Sequence, residues 1–336
     1  MLNIAFAGFR HGHIVGLYLE CVKNPDVNIV GAFEEHEETR LDMIEKYDVD
    51  FNYNTYEELL SDTNIDAVAI GDYYSIRGER AIKALESGKH IIADKPLCTS
   101  LDEEKKIREL CQKTGLTAYL MLDLRFYDVV NEAKKIMDEN RLGEINNIIF
   151  EGQHPLMYGS RAGWYFEDGK HGGTINDIAI HGIDVVRYLT GLEVEKVNGA
   201  RTWNCFADKE PHFNDSAMFM CQLSNGAGLM ADVSYAAPNS QGFALPTYWQ
   251  FQFWGKKGMM KFGVNCKALE LYIDGEAEAQ TITPASAELN LLNDFINCIE
   301  KKNTILNCKE VLDSTRTTLT IQAFADKEAI TCTDSE

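Results

Sequence analysis

The chain predicts two architectures in succession: an α/β first part on a parallel sheet and an α+β second part on mainly antiparallel strands. Two patterns carry this. Over the first 122 residues, short apolar runs alternate with helical periodicity, and each run ends at a glycine or an acidic residue, as repeated βα units do. From about Ile145 the helical interludes fade. Alternating runs then follow one another through turn signals such as Ser224-Asn225-Gly226 and Gly255-Lys256-Lys257-Gly258, which read as hairpins.

Residues 2–7 form an apolar run closed by Gly8, as suits a buried parallel strand. Gly8-Phe9-Arg10-His11-Gly12-His13 leads into a helix with Ile14, Leu17, Cys21 and Val22 on its apolar side, and Asn24-Pro25-Asp26 breaks it. Residues 28–33 are the next strand, ending at Glu34. Strand, glycine turn, helix, strand and acid is the order of a dinucleotide-binding βαβ unit. The glycine pattern is incomplete, because a strict G-x-G-x-x-G would need glycine at 10 and 13, where Arg10 and His13 stand. Gly8 can make the tight turn and Gly12 can admit a close backbone, so the stretch reads either as a cofactor loop or as an ordinary strand–helix turn. Glu34 is placed to accept both hydroxyls of an adenosine ribose. Glu35, Glu37 and Glu38 follow with no Lys or Arg before Arg40. They read as an acidic helix start. A 2′-phosphate would meet negative charge there, so NAD is expected over NADP.

The alternation continues with a helix at 56–60, a strand at 67–70 ending in Gly71-Asp72, and a helix at 79–87 closed by Gly88. A strand at 90–93, a helix at 101–114 and a strand at 117–122 complete the series. Ligands of such sheets bind outside the carboxyl ends of the strands. Lys95 lies at such an end: in Asp94-Lys95-Pro96 the proline stops the strand and aims the lysine into the crevice. An ammonium there can hydrogen-bond a hydroxyl and oppose charge on its oxygen, although a lysine ending a strand is often just a solvated charge.

Later, Gly172-Gly173 opens a helical run in which Asp177 and His181 lie four apart, on one face. A carboxylate beside an imidazole can hold its tautomer and ready it for proton transfer; a bare D-x-x-x-H is equally a surface polar pair. Strands are expected at 145–153, 194–202, 216–223, 227–235, 248–254 and 259–262, and Trp249-Gln250-Phe251-Gln252-Phe253 alternates cleanly.

Composition bounds the partners. The chain has 336 residues, 45% hydrophobic and 25% charged, with a formal net charge of -20. That length suits two domains with a sizeable core, and that charge disfavours nucleic acid and anionic membranes alike. Nine dispersed cysteines without a C-x-x-C suggest reduced thiols in the cytosol rather than a zinc ribbon. No basic, apolar leader opens the chain, and no apolar stretch approaches the ~18 residues of a membrane span; a cytoplasmic protein is expected.

Taken together, Gly8, the run Ala84-Leu85-Glu86-Ser87-Gly88-Lys89-His90 into Asp94-Lys95-Pro96, Leu124-Arg125-Phe126, Trp164, and Gly172-Gly173 through Asp177, His181 and Asp184 resemble the glucose–fructose oxidoreductase / inositol dehydrogenase / MocA family of NAD(P)-dependent oxidoreductases. The resemblance implies a Rossmann domain over 1–123, with a parallel doubly wound sheet. It implies an α+β substrate-binding and oligomerisation domain over 124–336, with a large open sheet for homodimer or homotetramer contact. Helices over about 288–328 would pack back on the first domain. Lys95 would touch substrate and nicotinamide ribose through a cis bond to Pro96, His181 would accept the alcohol proton, and Asp177 would stand beside it. The implied cofactor contacts run over Gly8 to His13, Glu34, Gly71, Asp72, Tyr73, Arg77 and Asp94 to Pro96. Arg125, His154, Trp164 and Tyr165 would join Lys95, Asp177 and His181 at a sugar-like substrate, and no metal is expected. Asp94 departs from the family's glutamate, Arg10 and His13 depart from its loop, and Asp72-Tyr73-Tyr74-Ser75-Ile76-Arg77 replaces its T-P-x-x-x-H.

The expected activity is hydride transfer between a secondary alcohol of a sugar, polyol or glycoside and NAD. Alternatives are a retained-NAD enzyme cleaving or epimerising glycosides, a non-catalytic NAD-sensing regulator, and a reductase of another carbonyl compound.

Overall fold

Leu2–Ala7 becomes β1, an interior strand in which Ile4, Ala5, Phe6 and Ala7 are wholly buried. Burial on both faces is why the run shows no polar alternation. The structure, a computed structural model, describes residues 1–327; residue 328, the end of the expected helical range, and Cys332 lie outside them. β1 belongs to a first unit made of Met1–Asp123, Ala162–Gly172 and Leu289–Arg316. After it come α1 (His13–Lys23), β2 (Val27–Phe33), α2 (Glu37–Tyr47), α3 (Tyr56–Ser61), β3 (Ala67–Ile70), α4 (Tyr74–Glu86), β4 (His90–Ala93), α5 (Leu101–Thr114) and β5 (Ala118–Leu120). All strand pairs are parallel, in the order β2-β1-β3-β4-β5. The order reverses beside β1, so its carboxyl end and that of β3 flank the switch point where open α/β sheets take ligands.

Two helices differ from the sequence reading. α4 starts at Tyr74 instead of residue 79, because Tyr74 and Arg77 turn inward and are fully buried; an arginine in the core hides the apolar period. α2 buries Met43 alone among its eleven residues, too little apolar signal to mark a helix beyond its acidic first turn.

The second unit comprises Leu124–Arg161, Gly173–Glu288 and the residues from Thr317 on. It holds α6 (Asp128–Asp138), β6 (Ile145–Pro155), α7 (Ile180–Thr190), β7 (Val194–Trp203), β8 (Ser216–Leu223), β9 (Gly228–Ala237), β10 (Trp249–Gly255), β11 (Gly258–Gly263), β12 (Leu269–Ile273) and β13 (Gln280–Ile282). They form one eight-stranded sheet, β13-β12-β11-β10-β6-β9-β8-β7, antiparallel except where β6 meets β9. The short strands β12 and β13, at one end of the sheet, were not legible in the sequence. Register places Phe219, Ala231, Phe150, Phe251 and Phe262 in one row across five strands, and Phe251 and Phe262 stack at 5.2 Å. On the other face Met218, Met220, Met230 and Trp254 are half-exposed. α7 lies on the row at Gly182, where a Cβ would fall 2.3 Å from the Phe150 ring.

Back in the first unit, α8 (Leu291–Ile299) is capped by Asn290, whose side chain accepts from Asn293 N–H at 2.8 Å. Asp294 is buried but satisfied: it accepts from Tyr119 OH at 2.8 Å and from Ile305 and Leu306 N–H. α9 (Cys308–Ala325) closes the described chain. No helix among the described residues is long and apolar enough to cross a membrane.

Gly182→Ala should lower stability by about 1–3 kcal/mol through overpacking against Phe150, read as a fall in the urea midpoint with unchanged slope; an unaltered midpoint would show that α7 can lift without cost.

Candidate functional site

In the first unit, the loop after β1 is shaped by Gly8 at φ +82°, where a Cβ would sit 2.7 Å from the Asp72 carboxylate. Only glycine meets both demands. Gly71 is equally close-packed, with its absent Cβ 2.5 Å from Ile14. Glu34, at the end of β2, accepts from Phe9 N–H at 2.7 Å and from His36 N–H at 2.8 Å. Burial and the neighbouring Asp72 push its carboxyl up to about 7. Asp72 itself is raised by burial, with Arg80 at 2.9 Å as counter-charge.

The second cluster lies at the end of β4. Asp94 is fully buried; His11 Nδ1 hydrogen-bonds one carboxylate oxygen, His13 Nδ1 lies 3.3 Å from the other, and Arg77 is 3.6 Å away. Burial alone would raise the Asp94 carboxyl, but His11, His13 and Arg77 hold it well below its ordinary value. Burial pushes His11 down to about 4 against the pull of Asp94. Lys95 is buried, its bond to Pro96 is cis, and its ammonium stands 5.9 Å from the Tyr74 ring centre. The ligand-capable atoms of His11, His13 and Asp94 lie within 4.8 Å of one another. Arg77 already neutralises that carboxylate, which disfavours a divalent cation there.

Residues 162–172 add aromatic cover to the same unit. Trp164 Nε1–H donates to the Arg10 carbonyl at 3.1 Å, and the hydroxyls of Tyr165 and Tyr74 are 2.7 Å apart. Arg10 and Lys170 both stand over the Tyr73 ring. Trp164 and Tyr165 are almost fully buried here. A larger cavity of about 910 Å³, lined by Met1, Asp66, His90 and Lys302 among others, opens beside the residues that begin β1 and β4. That is the end of the sheet away from the switch point, so it is not the candidate.

In the second unit, residues Ile175–Ala179 form a π-helical turn that runs into α7, a distortion frequent at functional sites. Gly173, at φ +96°, leaves room for Gln322, which a Cβ would meet at 2.3 Å. Gln322 Oε1 in turn accepts from Ile175 N–H at 3.0 Å, which secures the start of the turn. Asp177 accepts from the Tyr235 hydroxyl. The His181 ring meets Trp249 edge-on at 5.9 Å, and His154 lies 4.8 Å from Tyr248 and 5.7 Å from Trp249. Asp177, His181 and His154 thus cluster with Tyr235, Tyr248 and Trp249, three aromatics the sequence offered only as strand residues. Arg125 makes a buried bidentate pair with Asp184, at 2.7 and 2.8 Å, under the Tyr188 ring, and so fastens α7 to the turn at Asp123–Phe126.

The raised Glu34 carboxyl carries a pH signature. The unfolded chain loses this proton near 4.5 and the folded chain near 7, so the folded state binds more protons between them and stability falls as pH rises through that window. Relative to Glu34→Gln, the wild type should lose on the order of 2–3 kcal/mol between pH 4.5 and 7.5. Urea midpoints across that range test this, and parallel curves for the two proteins would refute it.

Comparison with known proteins places the chain in a family. Residues 2–122 match the profile described as "Oxidoreductase family, NAD-binding Rossmann fold", and residues 130–261 match the GFO/IDH/MocA C-terminal domain. A scyllo-inositol 2-dehydrogenase (NAD(+)) of Bacillus subtilis is 33% identical over 183 residues, 54% of this chain and 52% of the relative. A myo-inositol 2-dehydrogenase of Thermotoga maritima is 27% identical over 191 residues, 55% of this chain and 54% of the relative. The chain spans about half the length of the curated relatives it matches. Among solved structures, a levoglucosan dehydrogenase in complex with NADH has a TM-score of 0.82 at 20% identity, covering 97% of this chain and 96% of that one. An aldose-aldose oxidoreductase from Caulobacter crescentus has a TM-score of 0.78 at 19% identity, covering 96% and 97%; at such identities the likeness speaks for the fold. With both of its domains matched, the chain belongs to the Gfo/Idh/MocA family of oxidoreductases.

Proposed function

We propose that this protein is an NAD-dependent dehydrogenase that oxidises a secondary alcohol of a sugar, polyol or glycoside. The observation that carries the reading is the cluster in the second unit, where Asp177 and His181 stand among Trp249, Tyr235 and Tyr248. Aromatic faces suit the apolar side of a sugar ring, and their polar tips suit its hydroxyls. The names of the relatives, inositol and levoglucosan dehydrogenases, support the same substrate class.

The first unit fits a dinucleotide. Gly8 makes the tight turn after β1 that lets the loop pack on Asp72, and Glu34 already holds a loop N–H at the position for ribose hydroxyls. Glu34 with Glu35, Glu37 and Glu38 following it favours NAD over a cofactor with a further phosphate. A bound nicotinamide supplies the hydride acceptor. His181 would take the alcohol proton on a ring nitrogen while the carbinol carbon gives up its hydride, leaving a carbonyl. Asp177, steadied by Tyr235, would orient His181 or hold a neighbouring hydroxyl. Lys95 would donate to the reacting oxygen and favour its alkoxide character.

The half-exposed Met218, Met220, Met230 and Trp254 support a homodimer or homotetramer formed through the uncovered sheet face, since soluble monomers rarely show such patches. A monomeric mass by light scattering at micromolar concentration would remove this part.

Incubation with NAD and a panel of sugars, polyols and glycosides should yield NADH in step with product. His181→Ala should cut turnover by about 10²–10⁴-fold while the Kd for NAD stays within about twofold. Unchanged turnover would take His181 out of the mechanism, and no NADH from any alcohol would sink the dehydrogenase reading.

A further inference from the structure

Arg77 is the least expected residue of the first unit: an arginine side chain with no exposed surface. Its Nε–H donates to the Asp72 carbonyl at 2.7 Å. Its Nη1 donates to the Asp94 carbonyl at 2.7 Å, to the Lys95 carbonyl, and more weakly to that of Pro96 at 3.4 Å. Nη2 stands 3.6 Å from the Asp94 carboxylate. One planar fork therefore serves four main-chain carbonyls and stands beside a carboxylate. It ties the bend after β3 to the bend after β4, and the second bend is the one that carries Lys95.

Those carbonyls have left the sheet ladder and are buried, where an unmet acceptor costs free energy. Only a guanidinium spans them, because its donors are fixed in a plane, whereas an ammonium offers one point of charge. The Tyr74 ring completes the arrangement. Arg77 packs on it with its central carbon 4.7 Å from the ring centre, and the Lys95 ammonium approaches the same ring at 5.9 Å. Main chain and side chain of Lys95 are thus set by the same two residues, both from the start of α4.

We propose that Arg77 is the positioning residue for Lys95, fixing the course of the Asp94–Pro96 main chain so that the ammonium reaches the reacting oxygen. The inference rests on the proposed role of Lys95. A shift of about 1 Å in such a group costs up to about a hundredfold in rate without loss of binding. Arg77 acts through Lys95, so the two substitutions should not add.

The test is a double-mutant cycle in the full-length protein, with NAD and whichever alcohol the wild type oxidises. Arg77→Met should lower kcat about ten- to hundredfold, with KM for the alcohol and Kd for NAD within about threefold. Arg77→Lys should fall between it and the wild type. Lys95→Met should lose more, and the double variant should lose no more than Lys95→Met alone, within about threefold. Activities are taken per folded site, from NAD titration, so a purely structural role would leave kcat unmoved. Normal kcat in Arg77→Met, or a double variant whose losses multiply, overturns the proposal. If Arg77→Met does not fold, Arg77→Lys and its double with Lys95→Met carry the same cycle. A fully active Lys95→Met instead overturns the role of Lys95 itself, which separates the two failures.

Discussion

Buried backbone carbonyls at the ends of parallel strands must find donors, and past β3 and β4 four of them share one guanidinium. β3 and β4 are interior strands paired on both sides; past Ile70 and Ala93 the chain leaves that ladder and stays buried. Arg77 answers for Asp72, Asp94, Lys95 and Pro96 together. Its charge also settles the Asp94 carboxylate, which the two loop histidines then approach. The glycine loop and the lysine turn are in this way parts of one polar network. A half-satisfied network would be worse than an apolar core.

The acids of the first unit deserve to be read as a group. Glu34, Asp72 and Asp94 are all buried at the ligand end of its sheet, yet they fare differently. Asp94 has three basic partners that hold its carboxyl low; for Glu34, burial and Asp72 outweigh its N–H donors and Arg10, and its carboxyl moves up. The overall charge of -20 predicts none of this. What decides each group is desolvation set against its nearest partners.

Much of the fold was legible because strands buried on both faces leave a plain apolar run. Ala67–Ile70 and His90–Ala93 appear in the structure with the limits the sequence suggests. The start of α4 was not, since its inward residues are an arginine and a tyrosine. The glycine pair at 172–173 announced a close approach, but the partner of Gly173, Gln322, comes from a distant helix. Likewise Asp177 could be picked out by spacing from His181, whereas Tyr235 reaches it from β9. Arg125 and Asp184 were each visible as motif residues; that they bind one another is a tertiary fact. Local periodicity marks elements, and side chains that meet across long separations leave no local trace.

The second unit's sheet also constrains how the chain can be made. Phe150 of β6 pairs with Ala231 on one side and Phe251 on the other, so the middle strand has no sheet neighbour until residues far behind it have left the ribosome. Pairings of such long sequence separation form slowly, and an apolar strand waiting for its neighbours is open to the wrong ones. During synthesis this segment is the point at which a nascent chain would need a chaperone's protection, while the first five strands, each joined to the next by a local helix, could already have collapsed.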